Sequence, residues 1–455
     1  MTKHLDIDTK AMRAKILDLA IQGKLTDQRE EDGNARDLLR EIQAEKEKLI
    51  KEKKIKKGKP LPEITEEEKP FEIPENWEWV RLGDIAQAVN GDRGKNYPKR
   101  EEYVASGIAW INAGHITDDG YLNADKMNYI TPNKYDSLRS GKIQRNDLLF
   151  CLRGSFGKVA RIEPFCEGAI ASSLAIIRLF NTALRAYLLI YLKSPQAANE
   201  LNKYANGTAQ PNLAAKDVLK YLIPLPPLAE QHRIADKVSA LFARLDAIDK
   251  AYEEYQGLQQ AMKSKLLDLA IQGKLTDQRA EDGNARDLLK AIQTEKEKLI
   301  KEKKIKKEKP LPEIEADEIP FEIPKNWMWA RWGTLSISIK YGYNTSAQKD
   351  GKIKMVRISD IQNNQVNWDS VPFCNIPKEE IAQYLLRKND ILFARTGGTV
   401  GKSYLVSEVP ENVVYAGYLI RTRYSEKLSP QYLKYFMESD LYCSSLQLFE
   451  QINIA

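Results

Sequence analysis

Two glycine-rich stretches that close on Gly-Lys, RGSFGKV at 153–159 and TGGTVGKS at 396–403, come nearest to phosphate chemistry in this 455-residue chain. A phosphate-binding loop needs GxxxxGK[ST], because its backbone amides cradle the phosphates while the lysine neutralises their charge. Neither stretch has that count: three residues separate Gly397 from Gly401, position 396 is threonine, and the first stretch is shorter and ends in valine. Both therefore read as tight turns whose Arg153, Lys158, Arg395 and Lys402 can face a nucleic acid, where cationic side chains fix a protein's register on the phosphates. The three histidines, His4, His115 and His232, make no HExxH or paired-histidine metal set, and neither GxSxG nor GxGxxG occurs. His115 in WINAGHI reads as a packed strand-end residue, with a DNA contact as the functional alternative, and His232 as a surface residue on a helix's first turn. Cys151, Cys166, Cys374 and Cys443 lie far apart without a CxxC pair and read as reduced thiols. No catalytic constellation, metal or cofactor is expected of this chain.

Length and composition favour two or three domains: 42% of the residues are hydrophobic and 29% charged, as in globular proteins with exposed charged helices. No run of 18 apolar residues and no secretory leader is visible, so a cytoplasmic, non-membrane protein is expected. A net charge of +6 permits an anionic partner without demanding one.

The elements that must position these residues come in duplicate. Residues 11–64 align with 261–314 at an offset of 250, and only eight of the 54 positions differ. The match continues through PFEIPENWEWVRLG against PFEIPKNWMWARWG, pairing Trp77, Trp79, Arg81 and Gly83 with Trp327, Trp329, Arg331 and Gly333. Beyond them only framework pieces return in order: RNDLLFCLRGSFGK against KNDILFARTGGTVGK, and AQPNLA (209–214) with a weaker echo in EQINIA (450–455). Such a chain is a duplication of one helical part and one globular part, the latter keeping its scaffold and changing its surface.

From Ile234 the apolar positions Val238, Leu241, Leu245, Ile248, Tyr252, Tyr255, Met262, Leu266 and Leu269 alternate steps of four and three, with Gln259 the polar break. That spacing predicts a coiled-coil seam in preference to a helix lying on a core. At about 1.5 Å per residue it makes a rod of roughly 54 Å, begun after Pro224, Pro226 and Pro227 and ended by Gly273. The lysine-rich EKEKLIKEKKIKKGKP (45–60) and its twin at 295–310 are helix-compatible. Interleaved glutamates favour a solvated helix over a phosphate-contacting arm, KKIKK being the part most able to reach a phosphate.

The duplicated plan, with IPLPPLAEQHRIADKV (223–238), LDLAIQGKL, FEIPENWEWVRLGDI and the NDLLF…GSFGK framework, resembles the DNA-specificity subunit of type I restriction-modification enzymes over essentially the whole chain. The resemblance implies an α+β fold with two mixed α/β target-recognition domains, separated by long coiled-coil-type helices in a pseudo-two-fold repeat. It implies that each domain reads one half of a bipartite, asymmetric double-stranded DNA site, and that the chain itself catalyses nothing. It also implies two methyltransferase subunits that use S-adenosylmethionine on adenine, and restriction and translocation subunits that use ATP and Mg. A coiled-coil interaction protein without DNA recognition is the alternative.

The segments expected are a helical segment and charged arm (1–69), a first recognition domain (70–227), a central helix and charged arm (228–318) and a second recognition domain (319–455). Half-sites one helical turn apart lie about 34 Å apart, within the rod's reach. DNA-contact candidates in the first domain are Asn90, Arg93, Lys95, Asn112, His115, Arg153, Ser155, Lys158, Thr208 and Gln210; in the second they are Tyr341, Asn344, Lys352, Arg357, Arg395, Thr396 and Lys402. If Ala455 corresponds to Ala214, the chain stops before a second equivalent of the rod, and the seam is expected to lack a partner helix and expose an apolar stripe. A shortened piece of a longer chain, a natural truncation by frameshift or inversion of the reading frame, or a short form that dimerises through this helix would each account for it.

Overall fold

Asp8 starts the first helix, α1 (Thr9–Ile21), by accepting the amide of Ala11. Gly23, at φ +69°, turns the chain after it, and a Cβ there would strike the ring of Pro74. Asn34 then caps α2 (Ala35–Lys51), which carries Asp37 in its first turn and Lys48 and Lys51 in its last, a charge order that suits the helix dipole. The helix stops there, so the KKIKK core at 53–57 lies beyond it. The computed structural model describes residues 7–154, 157–205, 213–394 and 401–442, and the chain divides into two compact units, Met1–Tyr252 and Glu253–Ala455.

In the first unit β1 (Glu78–Arg81) pairs antiparallel with β9 (Leu222–Leu225) at the base of the recognition module. A four-stranded antiparallel sheet has the order β2-β8-β5-β6, from β2 (Ala86–Asn90), β5 (Leu148–Cys151), β6 (Val159–Arg161) and β8 (Leu174–Leu179). A three-stranded sheet has the order β4-β3-β7, from β3 (Ile108–Ile111), β4 (Asn128–Ile130) and β7 (Gly168–Ile170), with β3 and β7 parallel. The apolar run LLFC of β5 serves two cores at once. Leu148 and Phe150 point into the cluster that includes α1, α3 (Arg185–Leu192) and α4 (Pro195–Tyr204), whereas Leu149 and Cys151 point into the cluster formed with the three-stranded sheet.

The second unit rebuilds this arrangement from different residues. Its four-stranded sheet has the order β10-β18-β15-β16, with β10 (Ser336–Tyr341), β15 (Ile391–Ala394), β16 (Ser403–Leu405) and β18 (Leu419–Tyr424). Its three-stranded sheet has the order β14-β11-β17, with β11 (Ile353–Val356), β14 (Phe373–Cys374) and β17 (Val413–Tyr415), and β11 again runs parallel to β17. A small hairpin, β12 (Ile361–Gln362) and β13 (Gln365–Val366), is added.

The rod is α5 (Leu228–Ile271), 44 residues and about 66 Å at 1.5 Å per residue. Its proximal part is not without a partner, contrary to the expectation for the whole seam. Ile234, Val238 and Leu245 are buried, the first two in the cluster that holds Leu17, Ala20 and Ile21 of α1. Arg13 of α1 donates to Asp246 at 2.8 Å and to Asp249 at 2.9 Å while its guanidinium covers Phe242. Leu241 and Leu269 are half-buried, and Ile248, Tyr252, Tyr255, Met262 and Leu266 are exposed. In the distal part Leu267 and Ile271 are buried instead of Leu266 and Leu269, as their repeat counterparts Leu17 and Ile21 are. Among the described residues, no helix is long and apolar enough to cross a membrane.

Candidate nucleic-acid interface

Strand direction gathers the loops of each module at one rim. β2 and β5 both run antiparallel to β8 and end where it begins, with Asn90 opposite Ala175 and Cys151 opposite Leu174. β3 and β7 end together, Ala171 donating its amide to Ile111 at 2.7 Å, and only residues 171–173 join β7 to β8. Asn90, the last residue of β2, and Asn112 and Arg153, just past the ends of β3 and β5, therefore lie on the same side. The second unit repeats this: Tyr341 lies opposite Ile420, Ala394 opposite Leu419, and Ala416 donates to Val356 at 3.0 Å. The backbones approach closely at the rim, since a Cβ on Gly91 would meet the carbonyl oxygens of Ile170 and Ala171, and one on Gly342 those of Tyr415 and Ala416.

The loop after β2 is anchored from within. Asp92 is buried and accepts the amides of Arg93 and Arg139, each at 2.7 Å, and Ser140 donates to the Asn90 carbonyl at 2.6 Å. Arg93 and Lys95 are left exposed. A cleft of about 540 Å³ opens beside them, lined by Asn90, Asp92, Arg93, Ser140, Leu213 and Lys216 among others.

Asn112 and His115 serve their own turn. The Asn112 side chain accepts the Gly114 amide at 2.8 Å, and His115, 5% exposed, accepts the Asn112 amide on Nδ1 at 3.2 Å. Burial pushes the His115 pKa down, which keeps the ring neutral and able to accept. The lysines of the two Gly-Lys turns are also engaged. Lys158 pairs with Asp118 at 2.5 Å, a contact that lowers the Asp118 pKa, and Lys402 donates to the Ile361 carbonyl at 2.7 Å. Each lysine fastens its turn to the segment that follows the central strand of the neighbouring sheet.

At the second rim Tyr341 and Asn344 are exposed and Arg357 is half-buried. Lys352 is exposed too, but it precedes β11 and stands at the opposite end of that strand from the rim. His232 is exposed near the start of α5 and lines a separate cleft of about 360 Å³ with Tyr121, Arg161 and Arg185. Ser155, Thr208, Gln210, Arg395 and Thr396 lie outside the described residues.

Several residues of the two modules had no separate signal in the sequence. Arg178 grips Asp147 with Nε and Nη2 at 2.9 and 2.7 Å, and Arg423 grips Asp390 the same way at 2.7 and 2.9 Å. Asp147 and Asp390 belong to the repeated NDLLF and NDILF pieces, while each arginine lies more than 30 residues downstream. Tyr418, 43% exposed, sits on the short link between β17 and β18. Among the described residues, no group of three or more histidine, cysteine, aspartate or glutamate side chains is placed to hold a metal ion.

Comparison with known proteins agrees with this architecture. Residues 74–254 match the family described as Type I restriction modification DNA specificity domain. The chain is 31% identical over 439 residues to the EcoAI type I restriction enzyme specificity subunit of Escherichia coli, covering 85% of this chain and 72% of that one. It is 29% identical over 481 residues to the EcoEI specificity subunit of the same species, covering 93% and 79%. A solved structure from a study of complex assembly and conformational transition of the type I R-M system shares the fold, with a TM-score of 0.54, 20% identity and coverage of 81% of this chain and 80% of that one. The chain belongs to the family of non-catalytic DNA specificity subunits of type I restriction-modification enzymes.

Proposed function

We propose that each unit reads one half of a bipartite, asymmetric DNA site through its strand-end rim, while the helical segments scaffold two methyltransferase subunits and the restriction subunits. The observation that carries this reading is the construction of the same rim twice, on the same strand order and with the same close backbone approaches, from side chains that differ: Asn90, Arg93 and Asn112 in one, Tyr341, Asn344 and Arg357 in the other. Constant backbone with altered side chains is what reading different base edges requires, because each base pair presents its own pattern of donors and acceptors in the major groove. S-adenosylmethionine, ATP and Mg belong, on this reading, to the partner subunits.

Co-expression with the cognate methyltransferase subunits, followed by sequencing of methylated adenines, tests it. One split asymmetric motif is expected, and methylation scattered without a motif would refute it. Exchanging residues 90–210 for those of a related specificity subunit should change one half of the motif and leave the other intact. A coiled-coil interaction protein without DNA recognition would direct no motif at all.

A further inference from the structure

We infer that Arg357, clamped by Asp360, reads a guanine in the half-site of the second unit, and that Asp360 is its positioning residue. The inference rests on the proposal that the rims read DNA. Arg357 is the first residue after β11 and occupies the place that Asn112 holds after β3 in the first unit. Both turns close in the same manner, with the side chain three residues on accepting the amide of the first: His115 for Asn112 at 3.2 Å, Asp360 for Arg357 at 2.8 Å. What differs is the side chain at the first position. The Asn112 side-chain oxygen Oδ1 is used on the Gly114 amide, whereas Arg357 is directed by Asp360, which takes Nε at 3.1 Å and Nη2 at 2.7 Å.

That grip engages the side of the guanidinium and leaves its end. Nη1 and the second hydrogen of Nη2 form two parallel donors that bond no other described residue, on a side chain 34% exposed whose clamp is only 8% exposed. Two parallel donors match the O6 and N7 acceptors of guanine, while adenine offers one acceptor and one donor at the same edge. The buried carboxylate also argues for a base in place of a phosphate. It neutralises most of the arginine's charge and would repel a phosphate brought to the same spot, while fixing the rotamer so that little side-chain freedom is lost on binding.

The test uses the chain assembled with its methyltransferase subunits. The wild-type motif is read by sequencing methylated adenines, then binding is measured on duplexes in which single guanines of the second unit's half-site are replaced by 7-deazaguanine, which lacks N7. One position should lose about 10-fold in affinity for the wild-type complex and nothing for the Arg357→Ala complex, whose motif should accept any base there. Asp360→Ala should relax the same position and no other. The inference is overturned if Arg357→Ala weakens all sequences equally with a shallower salt dependence, which is a phosphate contact, or if no 7-deazaguanine affects the unmodified complex. A split motif without a guanine in that half overturns it and leaves the bipartite reading standing; the absence of any motif overturns both.

Discussion

Glu230 offers the sharpest test of how the rod is fastened to its module. Its carboxylate is fully buried and accepts three donors: the Trp77 indole at 2.7 Å, the Gln28 amide at 2.7 Å and the Thr26 hydroxyl at 3.0 Å. These come from the base of the recognition module and from the loop after α1, so one side chain joins three segments. In Glu230→Gln a single oxygen remains. Oε1 serves Thr26 and Gln28, and Oε2 serves Trp77, so an amide nitrogen in place of Oε2 would face the indole donor. The loss is one charge-assisted hydrogen bond, about 1.5–3 kcal/mol, together with a donor left buried against another, about 1–3 kcal/mol. We expect a cost near 3 kcal/mol, or a drop of about 6–12 °C in the melting of a unit of this size. The chain has two compact units, and one global unfolding free energy is not defined for it. Hydrogen exchange resolved by segment is therefore the better assay. Protection should fall over residues 9–34 and the start of α5 and remain unchanged in the second unit. A cost below about 1 kcal/mol, or an equal loss of protection in both units, would refute the assignment of Glu230 as the joint.

The buried pairs Asp147–Arg178 and Asp390–Arg423, whose carboxylates are 1% and 3% exposed, should behave alike. Asp147→Ala and Asp390→Ala should each cost their own unit about 3–5 kcal/mol by leaving an arginine without its counter-charge, measured as segment-resolved exchange. Burial alone would raise the Glu438 carboxyl, but hydrogen bonds from Lys434 at 2.5 Å, Lys263 at 2.9 Å and Asn364 at 2.6 Å bring it down to about 2 from its ordinary 4.5. A depressed carboxylate stabilises fully above its unfolded value and loses that contribution as pH falls. The second unit should therefore weaken by on the order of 3 kcal/mol between about pH 5 and pH 2, and the Glu438→Gln protein should lack this part of the slope in thermal melts across that range. Lys158→Ala should lower DNA affinity little at moderate salt, because its ammonium is already paired with Asp118; a salt slope reduced by about one would place it on a phosphate instead.

The duplication, the separation of helical from globular parts and the presence of a long helix were legible because they depend on identity and periodicity, which a chain carries along itself. The seam was legible only in part, since apolar spacing shows that a face is covered and not by what: Ile234 and Val238 join the core cluster that includes residues of α1, while Tyr255 is 48% exposed and Met262 61%. The rims were readable as candidates one residue at a time. What makes them rims is that β2, β3, β5 and β7 end together, a property of sheet pairing across tens of residues. His115 shows the limit plainly. The sequence favours a packed residue there, and the burial of its ring is visible only in the fold.

The near-identity of the two helical segments has a reason inside each unit. Arg81 holds the Pro62 and Glu63 carbonyls and Glu68, and Arg331 holds Pro312, Glu313 and Glu318 in the same pattern. Lys46 donates to the Gly83 carbonyl at 2.8 Å and Lys296 to that of Gly333 at 3.0 Å. Phe71 meets Trp79, and Phe321 meets Trp329, at centroid distances of 5.1 Å in both units. Trp77 stands edge-on to Tyr187 at 6.3 Å and Trp327 to Tyr432 at 6.1 Å. The repeated arm is thus locked to the base of its own module by contacts that leave little freedom to drift. One difference between the units follows from this base. Trp77 is 2% exposed, gives its indole hydrogen to Glu230, and lies beside the pairing of β1 with β9. Trp327 is half-buried, and among the described residues no strand pairs with 328–331 and the Trp329 indole, though buried, has no acceptor. Among the described residues, nothing takes beside 328–331 the place that β9 holds beside β1 in the first unit.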